Sequence, residues 1–141
     1  MANVIPFAFR GELFSATHDF ASGGDSFKLA LYTANPYNTS STVYNATSEV
    51  SASGTYYTTT GKTLTGNAVA YGTAVASCDF DPAVWTTASF TAAYGAIYND
   101  DKSDKLCVVL DFSGNKTATA GTFTVTFPSP SSPADAIISM A

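Results

Sequence analysis

Within the first twenty residues Phe9, Leu13, Ala16 and Phe20 recur at helical spacing. That spacing predicts a short helix over residues 8–18, weakened by Gly11 and followed by a turn at Gly23-Gly24. Ahead of it lies an apolar arm, Val4-Ile5-Pro6-Phe7. Residues 1–9 are therefore either a strap that adds to a neighbour or a segment that packs on its own domain. From Phe27 the period changes to two: Phe27, Leu29 and Leu31 alternate with Lys28, Ala30 and Tyr32, the signature of a half-buried strand. Residues 34–62 are rich in Asn, Ser, Thr, Gly and Tyr and read as a long loop, with short strands near Val43-Tyr44 and Tyr56-Tyr57.

Strand patterns resume over Lys62 to Tyr71 and Thr73 to Phe80, and Asp81-Pro82 breaks them. Trp85 to Ala92 places Ala88, Phe90 and Ala92 on one parity, and Tyr94 to Tyr98 follows. The charged turn Asn99 to Asp104 then links that segment to Leu106 to Phe112 as a β-hairpin. Leu106 to Phe112 is apolar on both parities, which predicts a central strand covered on both faces. Ser113 to Gly121 reads as a turn region, and Phe123, Val125 and Phe127 alternate with threonines. Pro128 to Pro133 is a stiff linker, and Ala136 to Met140 forms a last strand. Short strands at regular spacing predict one all-β domain over residues 1–141, an antiparallel β-sandwich or jelly roll with one short N-terminal helix.

Composition narrows the functions such a domain serves. Only 12% of the 141 residues are charged, the formal net charge is −5, and there is one histidine. The six cations are scattered, so no basic stripe exists to displace counterions from nucleic acid or to hold an anionic membrane. The start of the chain has neither the basic residues nor the apolar run of a signal peptide, and synthesis and folding in a cytoplasm are expected. Cys78 and Cys107 make no zinc pattern and read as small core residues.

Candidate chemistry is sparse. His18-Asp19 is the nearest thing to a catalytic pair, but no nucleophile motif accompanies it, and His18 reads as a helix-end cap or a surface residue. Asn99, Asp100, Asp101 and Asp104 offer oxygens without the pattern of a calcium loop, and read as a solvated hairpin tip. No catalytic residue, cofactor or metal is expected. Contact is the remaining kind of work. The apolar arm offers Val4, Ile5, Phe7 and Phe9, and the loop offers Tyr37, Tyr44, Tyr56 and Tyr57. The tyrosines suit a sugar-stacking platform or a protein interface equally, and ordinary sheet tyrosines would look the same.

One resemblance carries the expectation further. The stretches Phe9-Arg10-Gly11-Glu12-Leu13, His18-Asp19-Phe20 and Asp25 to Tyr32 resemble the opening of small virion structural proteins of tailed bacteriophages. The similarity runs in order through Thr47 to Val50, Gly61 to Leu64, Gly95 to Tyr98, Val109 to Phe112, Lys116-Thr117, Gly121 to Phe123 and Phe127-Pro128. It implies a virion component made in a bacterial cytoplasm, of the capsid decoration or cement type. Its implied partners are the major capsid protein and copies of itself, a trimer being the assembly that local three-fold positions accept. A tail, baseplate or fibre component and, from another class, a carbohydrate-binding module are the alternatives.

Overall fold

The computed structural model describes residues 3–128 and 136–140. Among the described residues, seven strands form two antiparallel sheets and one short α-helix precedes them, giving an all-β, sandwich-like fold. The strands are β1 (Phe27–Tyr32), β2 (Lys62–Thr63), β3 (Ala68–Tyr71), β4 (Ala76–Asp79), β5 (Ala83–Asn99), β6 (Lys105–Val125) and β7 (Ile138–Met140). One sheet has the order β2-β1-β5-β6 and the other β3-β4-β7. Ser129 to Pro133, most of the expected linker, lie outside the described residues.

The helix α1 covers Phe7–Phe14, shorter than its apolar spacing suggests. Ala16 turns left-handed, with φ 54°. The Ala16 N–H then reaches the Leu13 carbonyl at 3.2 Å and the Thr17 N–H that of Glu12 at 3.0 Å, the bond pair of a Schellman stop. Phe9 and Leu13 face the core, while Phe7, Arg10 and Phe14 lie on the outer side.

Between the sheets, Phe20 stacks on Phe27 with ring centres 4.3 Å apart, and Phe80 meets both edge-on. A second aromatic group joins Tyr57, Trp85, Phe90 and Phe123. Cys78 and Cys107 are buried, free thiols of this core. On the opposite face of the four-stranded sheet, Ala30, Tyr32, Ala96, Tyr98, Leu106 and Val109 form a smaller cluster with Tyr37.

The long β5–β6 pair holds its inward face by bulges, which move a strand from one parity to the other. Cys107 is an extra residue between the pairs Tyr98–Leu106 and Ile97–Val108, so Cys107 and Val108 both join the main core. Thr86 and Thr87 sit in another bulge, between the pairs Trp85–Phe123 and Ala88–Gly121. The turn expected over 113–121 shrinks to the irregular stretch between the pairs Tyr94–Asp111 and Ala92–Lys116, where Ser113 and Gly114 have positive φ.

Two further expectations need correction. Leu106 to Phe112 belongs to β6, which ends its sheet instead of sitting at its centre. Its apolar residues are covered because other segments close the edge. Val4 and Val109 exchange backbone bonds of 2.9 and 2.8 Å, and the Leu106 N–H reaches the Thr42 carbonyl at 3.0 Å. Residues 3–9 thus pack on their own domain, and the 105–111 part of the β6 edge is not left open for another chain. In the loop, the short strands near Val43 and Tyr56 do not form. Val43 makes only an isolated bridge to Lys105, and the left-handed backbone of Tyr56 (φ 59°) is incompatible with a strand.

Candidate interaction surfaces

The eight residues expected to make an interface divide sharply. Phe9 is wholly inside the main core, and Tyr37 and Tyr57 are also buried. They are corrected from surface to core: a ring of this size reaches deep, and the Tyr37 and Tyr57 hydroxyls find partners there. Val4, Ile5 and Tyr44 are half-buried, Val4 by its bridge to β6 and Tyr44 against Tyr98. Phe7 and Tyr56 are exposed, at 60% and 74%.

What the tyrosines do instead is hold the long loop to the sheet. One carboxylate organises them. Glu49 Oε1 accepts hydrogen bonds from Tyr57 Oη (2.7 Å) and the Thr60 N–H (2.9 Å), and its Oε2 accepts one from Tyr44 Oη (2.5 Å). Tyr57 Oη in turn accepts the Leu31 N–H at 2.9 Å, Tyr98 Oη donates to the Thr60 carbonyl, and Tyr32 and Tyr37 share a hydroxyl bond of 2.7 Å. Thr60 is held in a left-handed conformation (φ 75°) that a β-branched residue seldom adopts. Gly61, also left-handed, could carry no side chain: a Cβ there would lie 2.1 Å from the Leu29 carbonyl oxygen.

Burial pushes the Tyr32, Tyr37, Tyr44, Tyr57 and Tyr98 hydroxyls above the ordinary phenol range, and the hydrogen bonds to Glu49 add to it at Tyr44 and Tyr57. Burial likewise pushes the Cys78 thiol up to about 12. A folded state that holds protons the unfolded chain releases loses stability as pH rises. The urea midpoint is therefore expected to stay level near neutrality and to fall above roughly pH 9–10, where unfolded thiols and phenols ionise. Each such group steepens the fall by about 1.4 kcal/mol per pH unit. A midpoint unchanged up to pH 11 would show that these hydroxyls are solvated.

His18 occupies neither a helix cap nor the surface. The helix has already stopped, and the His18 side chain is fully buried against Phe9 and Phe20. Asn99 Nδ2 donates to Asp25 Oδ2 (2.8 Å) and to His18 Nδ1 (3.0 Å), while Asn99 Oδ1 accepts the Asp101 N–H (3.1 Å). With the amide hydrogens so committed, the network assigns Nδ1 as acceptor and places the imidazole proton on Nε2, which donates to Glu12 Oε2 at 2.8 Å. Lys105 Nζ meets Glu12 Oε1 at 2.6 Å, and Lys102 meets Asp25. Burial alone would raise the Glu12 and Asp25 carboxyls. The bonds from Lys105 and His18 to Glu12, and from the Asp19 N–H, Asn99 and Lys102 to Asp25, outweigh it and hold both below the usual range. At the hairpin tip, Lys28 pairs with Asp100, and Asp101 accepts the Ser26 N–H.

Two surface features were singled out by sequence only in part, through Phe7 and Tyr56. The first is the outer side of α1. Phe14 is 92% exposed and shares a cleft of about 310 Å³ with Ile5, Leu13, Ile138 and Met140. Its signal was available, since Phe7 and Phe14 are seven apart and so lie on one helix face. The second is a groove of about 460 Å³ bounded by Tyr56, Thr58, Lys62, Val84, Trp85, Thr86 and Thr87. It exists because of the β5 bulge and the kinked loop, which leave no local trace in the sequence. Among the described residues no cluster of three or more His, Cys, Asp or Glu is arranged to hold a metal, and no helix is long and apolar enough to cross a membrane. Comparison with protein-family models, with curated proteins and with solved structures gives no match for this chain.

Proposed function

We propose that this chain is a structural protein of a tailed-bacteriophage particle, decorating and stabilising the capsid shell through contacts with the major capsid protein and with copies of itself. The reading gives it no catalytic step and no cofactor. The resemblance along the chain suggests the particle, and the outer face of α1 is the observation that carries the mode of action. A phenylalanine left in water forgoes about 1.5–3 kcal/mol of burial. Here Phe7 and Phe14 are both exposed, and Phe14 and the exposed Met140 line the same apolar cleft. An apolar patch of this kind is what a docking partner covers, and a lattice multiplies a modest contact over many copies.

Quantitative mass spectrometry of purified virions tests the location. A copy number close to that of the major shell protein is expected. A small fraction of it would move the chain to the tail, baseplate or a vertex, and absence from the particle would sink the reading. The docking face has its own test. Phe14→Asp is expected to change folding stability by no more than about 0.5 kcal/mol, because the site is exposed, while abolishing pull-down on empty shells. Shell binding that survives Phe14→Asp would remove α1 from the interface.

A further inference from the structure

We propose that the groove between residues 56–63 and the β5 bulge is a saccharide-binding site. In it Tyr56 supplies the stacking face, Thr86 and Thr87 supply hydroxyl partners, and Lys62 supplies a cation that favours acidic sugars.

The local backbone explains why Tyr56 faces outward. Tyr57 must enter the core to reach Glu49 and the Leu31 N–H, and the left-handed kink at Tyr56 turns the preceding ring the other way. The result is an exposed aromatic ring beside a concavity. Such a ring joins an apolar face to a polar edge, and a pyranose presents the matching pair, a C–H face and a rim of hydroxyls. The opposite wall is the bulge, which places two consecutive threonines at the surface where a regular strand would turn one of them inward. Bulges are frequent beside binding sites for this reason.

Lys62 is the groove's one cation, and like Arg10 and Lys116 it makes no ion pair among the described residues. Lys28, Lys102 and Lys105 are each paired with a carboxylate. The Lys62 ammonium instead lies 5.7 Å from the Trp85 ring centre. Apart from Tyr56, Gly61, half-buried Val84 and the floor of Trp85, the lining is four threonines and the Lys62 ammonium. An apolar occupant would strip water from those groups and return nothing, whereas a polyol bonds to them. The groove's size falls in the range of small-molecule sites. The Glu49 contacts and Gly61 hold its loop wall in place, so little ordering is spent on binding.

Trp85 is the chain's single tryptophan, so its fluorescence reports from the floor of this groove. The full chain is titrated with oligomers of glucose, of N-acetylglucosamine and of glucuronic acid. Saturable change with at least one of them is expected, the glucuronate binding best. Tyr56→Ala is expected to weaken that binding by about tenfold, the loss of one stacking contact, and Tyr56→Phe to retain it. Lys62→Gln is expected to erase the preference for the acidic oligomer. Tyr71→Ala removes another exposed tyrosine, away from the groove on β3, and is expected to change nothing. No saturable response to any of the three oligomers would overturn the proposal. So would equal affinity in the wild type and Tyr56→Ala.

Discussion

Replacing Asn99 with alanine is expected to destabilise the protein by about 3–5 kcal/mol, the range for breaking a buried polar network. The side chain is completely buried. It gives hydrogen bonds to His18 and Asp25 and accepts one from the Asp101 N–H, so its removal leaves an imidazole nitrogen, a carboxylate oxygen and an amide short of a partner at once. Asn99→Asp separates chemistry from volume. It keeps the shape, loses both donors and sets a negative charge against Asp25. At neutral pH it is expected to cost at least as much as alanine. Urea unfolding of the two variants decides the matter. A loss below about 1 kcal/mol in both would mean that water readily takes the place of the amide.

The second large effect is expected at Glu49. Glu49→Ala removes the acceptor for Tyr44, Tyr57 and the Thr60 N–H together, and a loss of about 2–4 kcal/mol follows from leaving those donors unsatisfied. The damage should be local as well as global. Without the carboxylate only the Tyr98 hydroxyl still holds Thr60 in its strained left-handed conformation, so amide exchange should accelerate over residues 34–61 while β5 and β6 stay protected. Glu49→Gln is the informative companion. It keeps one oxygen for Tyr57 and Thr60 and lets the Tyr44 hydroxyl accept from the new amide, so its cost should be less than half that of alanine. Equal losses in the two variants would show that charge, and not hydrogen-bond count, holds the loop.

These two residues also mark where the sequence stops being informative. Phe27 to Tyr32 and the hairpin from Tyr94 to Phe112 were legible because their signal is local: a period of two, and a polar turn between apolar runs. The alternation of Phe123, Val125 and Phe127 was legible for the same reason, and all three are buried. The role of Glu49 was not legible. Nothing in its neighbourhood says that Tyr57, from beyond a polar stretch, will meet it under the sheet. His18 misled for a related reason: its partners Glu12 and Asn99 are 6 and 81 residues away. On the surface, Phe7 and Tyr56 were found by residue type, but type alone could not separate them from Phe9 and Tyr57, which face inward. The bulge at Thr86 and Thr87 is a property of the β5–β6 register, which neither strand encodes by itself.

The antiparallel pairing of β1 with β5 has a consequence for how the chain is made. Phe27 pairs with Asn99 and Tyr32 with Tyr94, so the first strand to be synthesised finds its main neighbour only after the intervening loop and β2 to β4 have been translated. At roughly 5–20 residues per second that is a delay of several seconds, far longer than the microseconds in which the β5–β6 hairpin can close once both arms exist. During the interval the Phe27, Leu29 and Leu31 side chains, all destined for the core, have no sheet to enter. The hairpin is thus the natural template on which the rest condenses, and β1 is the segment that a ribosome-associated chaperone would have most reason to shield.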